Sequence, residues 1–154
     1  MGDEFYLSLA IDKAWDCQLL TYPNPAVGAV ILDENGQILS IANHQMSGFP
    51  HAELNATKEA LEAKDSSLKK LFATAKNANE LYNLIIKNHQ NLLKNSTYYV
   101  TLEPCAHQGK TPPCANLILA MGAKRVVIGS RDYGKHARGG AELLAQNGVE
   151  VKLD

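Results

Sequence analysis

The second half of the chain alternates between short β-rich runs and helical runs, and this alternation limits the folds open to it. The β-rich runs are STYYVTLE, RVVIGS and VEVKL, and the helical runs between them are CANLILAMG, closed by Gly122, and GGAELLAQNG. A strand, a helix and a second strand in succession normally form a crossover that makes the two strands parallel. The pattern therefore predicts parallel strands covered by helices.

The first half adds a helix, a hairpin and a second helix. EFYLSLAIDKAWDCQLL has apolar residues at helical spacing behind Asp3, a candidate N-cap. VGAVILD and QILSIAN are β-rich and are joined through Asn35-Gly36, which favours a two-residue hairpin turn and an antiparallel pair. HAELNATKEALEAK is again helical in pattern. Together the runs predict a helix-covered α/β fold with a mixed sheet of about five strands.

Residues 65–95 do not fit this regular spacing. Their apolar residues recur at helical intervals, with Asn77 and Asn79 as a possible break. We expect one or two added surface helices there and assign them no chemistry. Since 154 residues suit one compact domain, the whole chain, 1–154, is interpreted as a single domain with this helical insertion.

Composition argues against several classes of partner. The formal net charge is −1 and the 15 basic residues are spread thinly, so the sequence lacks the clustered basic face expected of a nucleic-acid-binding protein. The N-terminus is acidic and no apolar run approaches about twenty residues, which predicts neither a signal peptide nor a membrane span. Three cysteines do not make a disulfide framework, so we expect reduced thiols and a cytoplasmic location. The lack of a basic face leads us to expect a small-molecule substrate.

One histidine and two cysteines form a candidate zinc site. His51 lies in PHAE, and Cys105 and Cys114 lie in TLEPCAHQGKTPPC. Three protein ligands leave the fourth position open for water, as in catalytic rather than structural zinc sites, and zinc lowers the pKa of its bound water to about 7. Glu53 is then expected to move protons. Each residue alone would more often be structural, but the joint pattern is that of a zinc deaminase, whose glutamate is an acid and base and not a ligand.

Helix starts explain how the spacing works. Pro50 places His51 at the beginning of a helix, where its backbone need not be helical, so His51 and Glu53 are able to converge beyond the helix end. In TPPC, we expect Thr111 to be an N-cap, Pro112 to take the first helical position and Cys114 to fall in the first turn.

YPNPAVGAVI, HAE and TLEPCAHQGKTPPC resemble the cytidine-deaminase superfamily, in particular the deaminase domain of the bifunctional riboflavin-biosynthesis (RibD) family. In cytidine and tRNA-adenosine deaminases the two cysteines follow P-C-x-x-C, whereas here eight residues separate them, as in the riboflavin family. The resemblance implies a three-layer α/β/α cytidine-deaminase-like fold with a mixed sheet of roughly five strands, and Zn²⁺ as cofactor. The implied reaction is hydrolytic removal of the 2-amino group from 2,5-diamino-6-(5-phosphoribosylamino)pyrimidin-4-one, giving an aminouracil and ammonia in riboflavin biosynthesis.

Substrate contacts also follow from the resemblance. Asn24 matches a ring-binding asparagine, and its amide is able both to donate to and to accept from a pyrimidine edge. His44, His107 and Lys110 match further substrate contacts, where a phosphate-bearing substrate gives the cationic groups a purpose. The loop RDYGKHARGG keeps Asp132 of the family pattern without its prolines, so contacts to ribose or phosphate stay open there.

Two alternatives remain at this point. Another nucleoside, base or tRNA deaminase of the same fold is the nearer one, and a non-catalytic zinc-binding scaffold is the other. The second, NADPH-dependent reductase domain usual in the RibD family is absent from this chain, so a stand-alone deaminase and a fragment both fit. Members of the superfamily are often oligomeric, and the resemblance therefore implies a homo-oligomer.

Overall fold

A five-stranded mixed sheet forms the centre of the molecule. The computed structural model describes residues 2–109, 112–134 and 139–154. The sheet has the order β2-β1-β3-β4-β5, with the strands bounded as β1 Gly28–Leu32, β2 Ile38–Asn43, β3 Thr97–Val100, β4 Arg125–Ile128 and β5 Glu150–Leu153. β1 runs antiparallel to β2 and β3, whereas the β3–β4 and β4–β5 pairs are parallel. The predicted mixed sheet of about five strands is confirmed.

The hairpin between β1 and β2 has a different turn from the predicted one. Asp33 N–H donates to the Gln37 carbonyl at 2.8 Å, which leaves a three-residue loop, 34–36, in place of a two-residue turn. The Asp33 carboxylate accepts hydrogen bonds from the backbone N–H groups of Asn35 and Gln37, and of the loop residues only Gly36 has positive φ, +84°. A two-residue type I′ turn requires positive φ at both central residues, and the Asp33 side chain instead stabilises the wider turn.

Six helices within the described residues cover the two faces of the sheet. They are α1 Asp3–Trp15, α2 Ala52–Lys64, α3 Leu68–Ala73, α4 Ala78–Asn88, α5 Cys114–Met121 and α6 Gly140–Gln146. Leu7 and Ala10 of α1 pack with Val30, Tyr99 and Val127 on one face. The alternate strand residues pack with the other helices on the opposite face, because successive side chains of a strand point to opposite sides. The result is three layers, as the resemblance implied.

The first helix begins one residue earlier than expected. Gly2 is the N-cap of α1, and Asp3, predicted as the N-cap, is its first helical residue. The Asp3 carboxylate is held by Arg125, Lys152 and the Tyr99 hydroxyl, so it is engaged by the strands instead of by its own helix.

The segment 65–95 forms α3 and α4, as predicted. Asn77 separates them and is the N-cap of α4, accepting a hydrogen bond from Glu80 N–H at 2.9 Å. Phe72 of α3 and Ile85 of α4 are buried in the same core as the sheet, so one side of this pair belongs to the core. None of the helices described here is long and apolar enough to span a membrane.

Candidate metal centre and substrate pocket

Three predicted ligands converge at one end of the sheet. The ligand atoms of His51, Cys105 and Cys114 all lie within 4.8 Å of one another. The Cys114 sulfur is 3.5 Å from His51 Nδ1, and Cys114 N–H donates to the Cys105 sulfur at 3.2 Å. Cys105 and Cys114 lie 54 and 63 positions after His51 in the chain. Two helix starts and the loop that follows β3 bring the three residues together.

Both helix starts place a ligand where the sequence suggested, with one correction. His51 is the N-cap of α2, with extended backbone angles of φ −65° and ψ 163°. Cys114 is in the first turn of α5, as predicted, but Pro113 is the N-cap, so Pro112 is not the first helical residue. The reason is that a residue preceding proline is disfavoured in helical conformation, and Pro112 precedes Pro113. Thr111 lies outside the described residues.

Hydrogen bonds among the three side chains shift the pKa of each one. The hydrogen bond from the Cys114 side chain, followed by that of His51, lowers the pKa of the Cys105 thiol. The hydrogen bond to Cys105 and burial raise the pKa of Cys114, and the pKa of His51 is raised, chiefly by its hydrogen bond with Cys105.

These shifts favour the thiolate form at Cys105 over Cys114. Two sulfurs and one imidazole nitrogen are donors that suit zinc, and metal binding at such a set releases protons. The residues present fit a zinc ion with one coordination position left open.

Glu53 lies beside the ligands and is almost fully buried, with 4% of its surface exposed. Burial raises the pKa of this carboxyl, which also interacts with the Cys114 side chain. Its backbone carbonyl accepts a hydrogen bond from the Thr57 hydroxyl at 2.7 Å, and that hydroxyl is 2.7 Å from the buried Tyr98 hydroxyl. A carboxyl whose pKa is raised by burial suits general acid and base work.

A cavity of about 360 Å³ opens in front of these groups. It brings together five predicted residues, which are Asn24, His44, His51, Glu53 and Cys105, and places His107 at its exposed edge. Cys114 is buried behind the cavity wall. Lys110, the remaining predicted substrate contact, lies outside the described residues.

His44 lines this cavity, and its two ring nitrogens differ in their surroundings. Its Nδ1 is 3.0 Å from the Pro50 carbonyl, which accepts only, so Nδ1 carries the proton. Nε2 is buried, has no partner among the described residues, and is consequently an acceptor. Burial lowers the pKa of His44, which favours the neutral ring. The ring stands edge-on to that of His51, with centroids 5.2 Å apart.

Asn24 also lines the cavity and is held there by its backbone. Its N–H donates to the Thr21 carbonyl at 2.7 Å, and the Thr21 hydroxyl donates to the Asn24 carbonyl at 2.9 Å. The preceding Tyr22–Pro23 bond is cis. These bonds occupy the main chain of Asn24 and leave its amide for the cavity.

Two supporting residues were not singled out in the sequence. Asn55 donates to the carbonyls of Asn43 and Pro50, at 2.9 and 3.2 Å, and so ties the start of α2 to the end of β2. Glu103 is buried next to the Cys105 loop and accepts three backbone hydrogen bonds. The available signal was their position, because Asn55 follows His51 by about one helical turn and Glu103 is an acid three residues after the end of β3.

Comparison with known proteins agrees with this geometry. Residues 1–130 match the family model described as the cytidine and deoxycytidylate deaminase zinc-binding region. The chain is 35% identical over 154 residues to the diaminohydroxyphosphoribosylamino-pyrimidine deaminase of Buchnera aphidicola, covering 99% of this chain and 84% of that protein. It is 35% identical over 152 residues to the riboflavin biosynthesis protein RibD of Escherichia coli, covering 98% of this chain and 33% of RibD.

A solved structure of RibD from Acinetobacter baumannii superposes with a TM-score of 0.75 at 31% identity, covering 98% of this chain and 34% of that one. The chain thus spans about a third of the length of the RibD relatives. The family model covers most of the chain and the Buchnera protein matches along most of both sequences. The chain therefore belongs to the cytidine and deoxycytidylate deaminase zinc-binding family, together with the RibD-type pyrimidine deaminases.

Proposed function

We propose that the chain is a zinc-dependent deaminase that hydrolyses 2,5-diamino-6-(5-phosphoribosylamino)pyrimidin-4-one to the corresponding aminouracil and ammonia, a step of riboflavin biosynthesis. The observation that carries the proposal is the convergence of His51, Cys105 and Cys114 beside the buried carboxyl of Glu53, at the wall of one cavity. The Buchnera relative, which matches along most of its length, is named for this deamination.

His51, Cys105 and Cys114 would hold a zinc ion, which would supply a Lewis acid able to lower the pKa of water at the site to about 7. Glu53 removes one proton from the attacking water and returns it to the ring nitrogen next to the carbon under attack. After the hydroxide has added to the ring carbon, Glu53 moves the remaining proton of that hydroxyl group to the amino group. The carbon–nitrogen bond then breaks, ammonia leaves, and the carbonyl of the aminouracil forms. Burial raises the pKa of the Glu53 carboxyl, which makes it a stronger base than an exposed glutamate and so favours proton uptake from water.

The walls of the cavity determine how a pyrimidine is oriented. His44 offers an acceptor at Nε2, so it pairs with an N–H or O–H group of the substrate. Asn24, another lining residue, offers a side-chain amide that both donates and accepts. His107 at the exposed edge, and Lys110 beyond it in the sequence, are assigned to the ribosyl phosphate.

We also propose a homo-oligomer in a cytoplasmic setting, with no nucleic-acid or membrane partner. Large apolar side chains are exposed along α1 and the loop after it, namely Ile11, Trp15, Leu19, Leu20 and Tyr22. Such a group of exposed apolar residues is typical of a protein interface. All three cysteines are free, which suits a reducing compartment. The molar mass in solution, measured by light scattering, tests the assembly, and a monomer at all concentrations would contradict it.

The test of the substrate is ammonia release by the zinc-loaded protein on three compounds: the diaminopyrimidinone ribosylamino phosphate, cytidine and guanine. We expect activity on the phosphorylated pyrimidine alone. Activity only on cytidine or guanine would retain the zinc chemistry and overturn the substrate. A zinc-loaded protein without activity on any compound would favour a non-catalytic zinc-binding scaffold.

A further inference from the structure

Glu103 holds together two parts of the chain, one of which lines the cavity. Its carboxylate Oε1 accepts a hydrogen bond from Asp132 N–H at 3.2 Å, and Oε2 accepts from Gly139 N–H at 3.3 Å and Ala141 N–H at 2.9 Å. Its own N–H donates to the Ser130 carbonyl at 2.8 Å. One side chain thus binds the segment after β4 at one end and the start of α6 at the other.

The side chain has to be a carboxylate for this purpose. Glu103 is only 4% exposed, and burying a charge is unfavourable unless hydrogen bonds compensate for the lost water. Three N–H donors face its two oxygens, and an ionised carboxylate accepts only. A glutamine of the same shape would direct its NH₂ group at one or more of these donors.

The same residue lies two positions before the zinc ligand Cys105. The main chain between them is packed tightly on α6, because a Cβ atom added at Gly140 would overlap the Pro104 carbonyl. On its other side, Cys105 is held by α5: the Cys105 carbonyl accepts from Ala115 N–H at 3.0 Å and its sulfur accepts from Cys114 N–H. The Cys105 turn therefore lies between α5 and α6, and Glu103 joins it to α6.

We propose that Glu103 is a positioning residue that fixes the Cys105 turn against α6, and with it both a metal ligand and the Asp132 edge of the cavity. Glu103 acts through the backbone and neither binds the metal nor transfers protons. Loss of its charge loosens the ligand and the substrate edge together. The proposal rests on the proposed zinc site but not on the identity of the substrate.

The test compares Glu103→Gln with Glu103→Asp, which keeps the charge on a shorter arm, and with Glu142→Gln as a control. Glu142 is an exposed acid in the first turn of α6 that pairs with Arg131 outside the cavity. Zinc affinity is measured by chelator competition well below the unfolding temperature, and kcat and KM are measured with zinc in excess. We expect Glu103→Gln to lower zinc affinity by about 10–100-fold, a typical effect of removing a residue that supports a ligand, and to raise KM more than it lowers kcat.

Partial recovery in Glu103→Asp and no change in Glu142→Gln complete the expected pattern. A lower melting temperature with unchanged zinc affinity and KM would reduce Glu103 to a purely structural residue and overturn the proposal. A collapse of kcat with unchanged zinc affinity would make it a catalytic residue, which also overturns it. The zinc measurement needs no substrate, so it stands even if the proposed substrate fails.

The unmodified protein gives a second test that no folding defect can obscure. Hydrogen exchange of the Ala141 amide reports directly on its bond to Glu103. We expect zinc loading to slow this exchange, because fixing Cys105 also fixes Glu103. An Ala141 amide whose exchange is the same with and without zinc would contradict the coupling.

Discussion

Replacing Asp3 by asparagine tests how the first helix is attached to the sheet. Asp3 Oδ1 accepts from the Tyr99 hydroxyl at 2.8 Å and from Arg125 Nη1 at 2.7 Å, while Oδ2 accepts from Arg125 Nη2 and Lys152 Nζ, each at 2.8 Å. Asparagine keeps one oxygen, but its NH₂ group takes the place of Oδ2 and faces the cationic groups of Arg125 and Lys152. The variant therefore loses two charge-assisted hydrogen bonds and the negative charge.

The expected loss of unfolding free energy is about 2 kcal/mol at pH 7. A hydrogen bond to a charged group contributes about 1.5–3 kcal/mol, but pairs close to the surface contribute about 0–1 kcal/mol. The side chains of Asp3, Arg125 and Lys152 are 15%, 23% and 45% exposed, which places the two lost bonds between these limits. For a chain of this size, 2 kcal/mol corresponds to a fall in Tm of about 4–8 °C.

The same effect has a predicted pH dependence. Hydrogen bonds from Arg125 and then Lys152 hold the pKa of the Asp3 carboxyl well below its usual range. The stability from a group with a lowered pKa is present above its unfolded value of about 3.9 and is lost as pH falls toward the folded value. The difference between the two proteins should thus shrink from pH 5 to pH 3.

Urea unfolding at pH 7, 5, 4 and 3, followed by circular dichroism, measures this difference. Asp12→Asn, an exposed acid on the same helix, is the control, and we expect it to change stability by less than about 0.5 kcal/mol. Comparing variant with parent at each pH removes the protonation of the metal ligands, which both proteins share. Equal stability at pH 7, or a difference that stays constant down to pH 3, would refute the reasoning.

Three further substitutions test the site and its support. Cys114→Ser should lose zinc and stability together, and unchanged zinc content by elemental analysis would show that the ligand set is wrong. Gly140→Ala should destabilise the fold by at least about 2 kcal/mol, because its Cβ would overlap the Pro104 carbonyl. Gly2→Ala, whose Cβ meets nothing within 4 Å, serves as the control. Equal melting temperatures of the two variants would contradict the packing. Asn77→Ala should lower the free energy of unfolding by about 1 kcal/mol through loss of the α4 cap, and a midpoint identical to the parent's would argue against that cap.

The sequence predicted the elements better than their local ends. Alternating strands and helices gave the mixed sheet, because crossovers leave few arrangements of parallel strands. The predicted two-residue hairpin turn was wrong because the Asp33 side chain stabilises a three-residue loop. The predicted start of α5 was wrong because Pro113 restricts the backbone of Pro112. In both cases a specific local contact overrode a general preference.

The residues of the site also fall into those that the sequence predicted and those that it did not. His51, Glu53, Cys105 and Cys114 were predicted because their residue types and spacing carry the chemistry, and the structure brings them together. Asn55 and Glu103 were not predicted, because the groups they bind are backbone groups from distant parts of the chain. No residue-type pattern marks a backbone partner 38 positions away, as Ala141 is from Glu103.

The most direct test of the proposed mechanism is the rate of ammonia release by Glu53→Gln from the phosphorylated diaminopyrimidinone, at zinc content equal to that of the parent. Glu59→Gln, an exposed acid on the same helix, is the matched control. We predict that Glu53→Gln binds zinc normally and releases ammonia at least about 100-fold more slowly, since a positioned acid and base typically contributes 10²–10⁴-fold, while Glu59→Gln keeps the parent rate. Near-normal turnover by zinc-loaded Glu53→Gln would remove Glu53 from the chemistry and contradict the account.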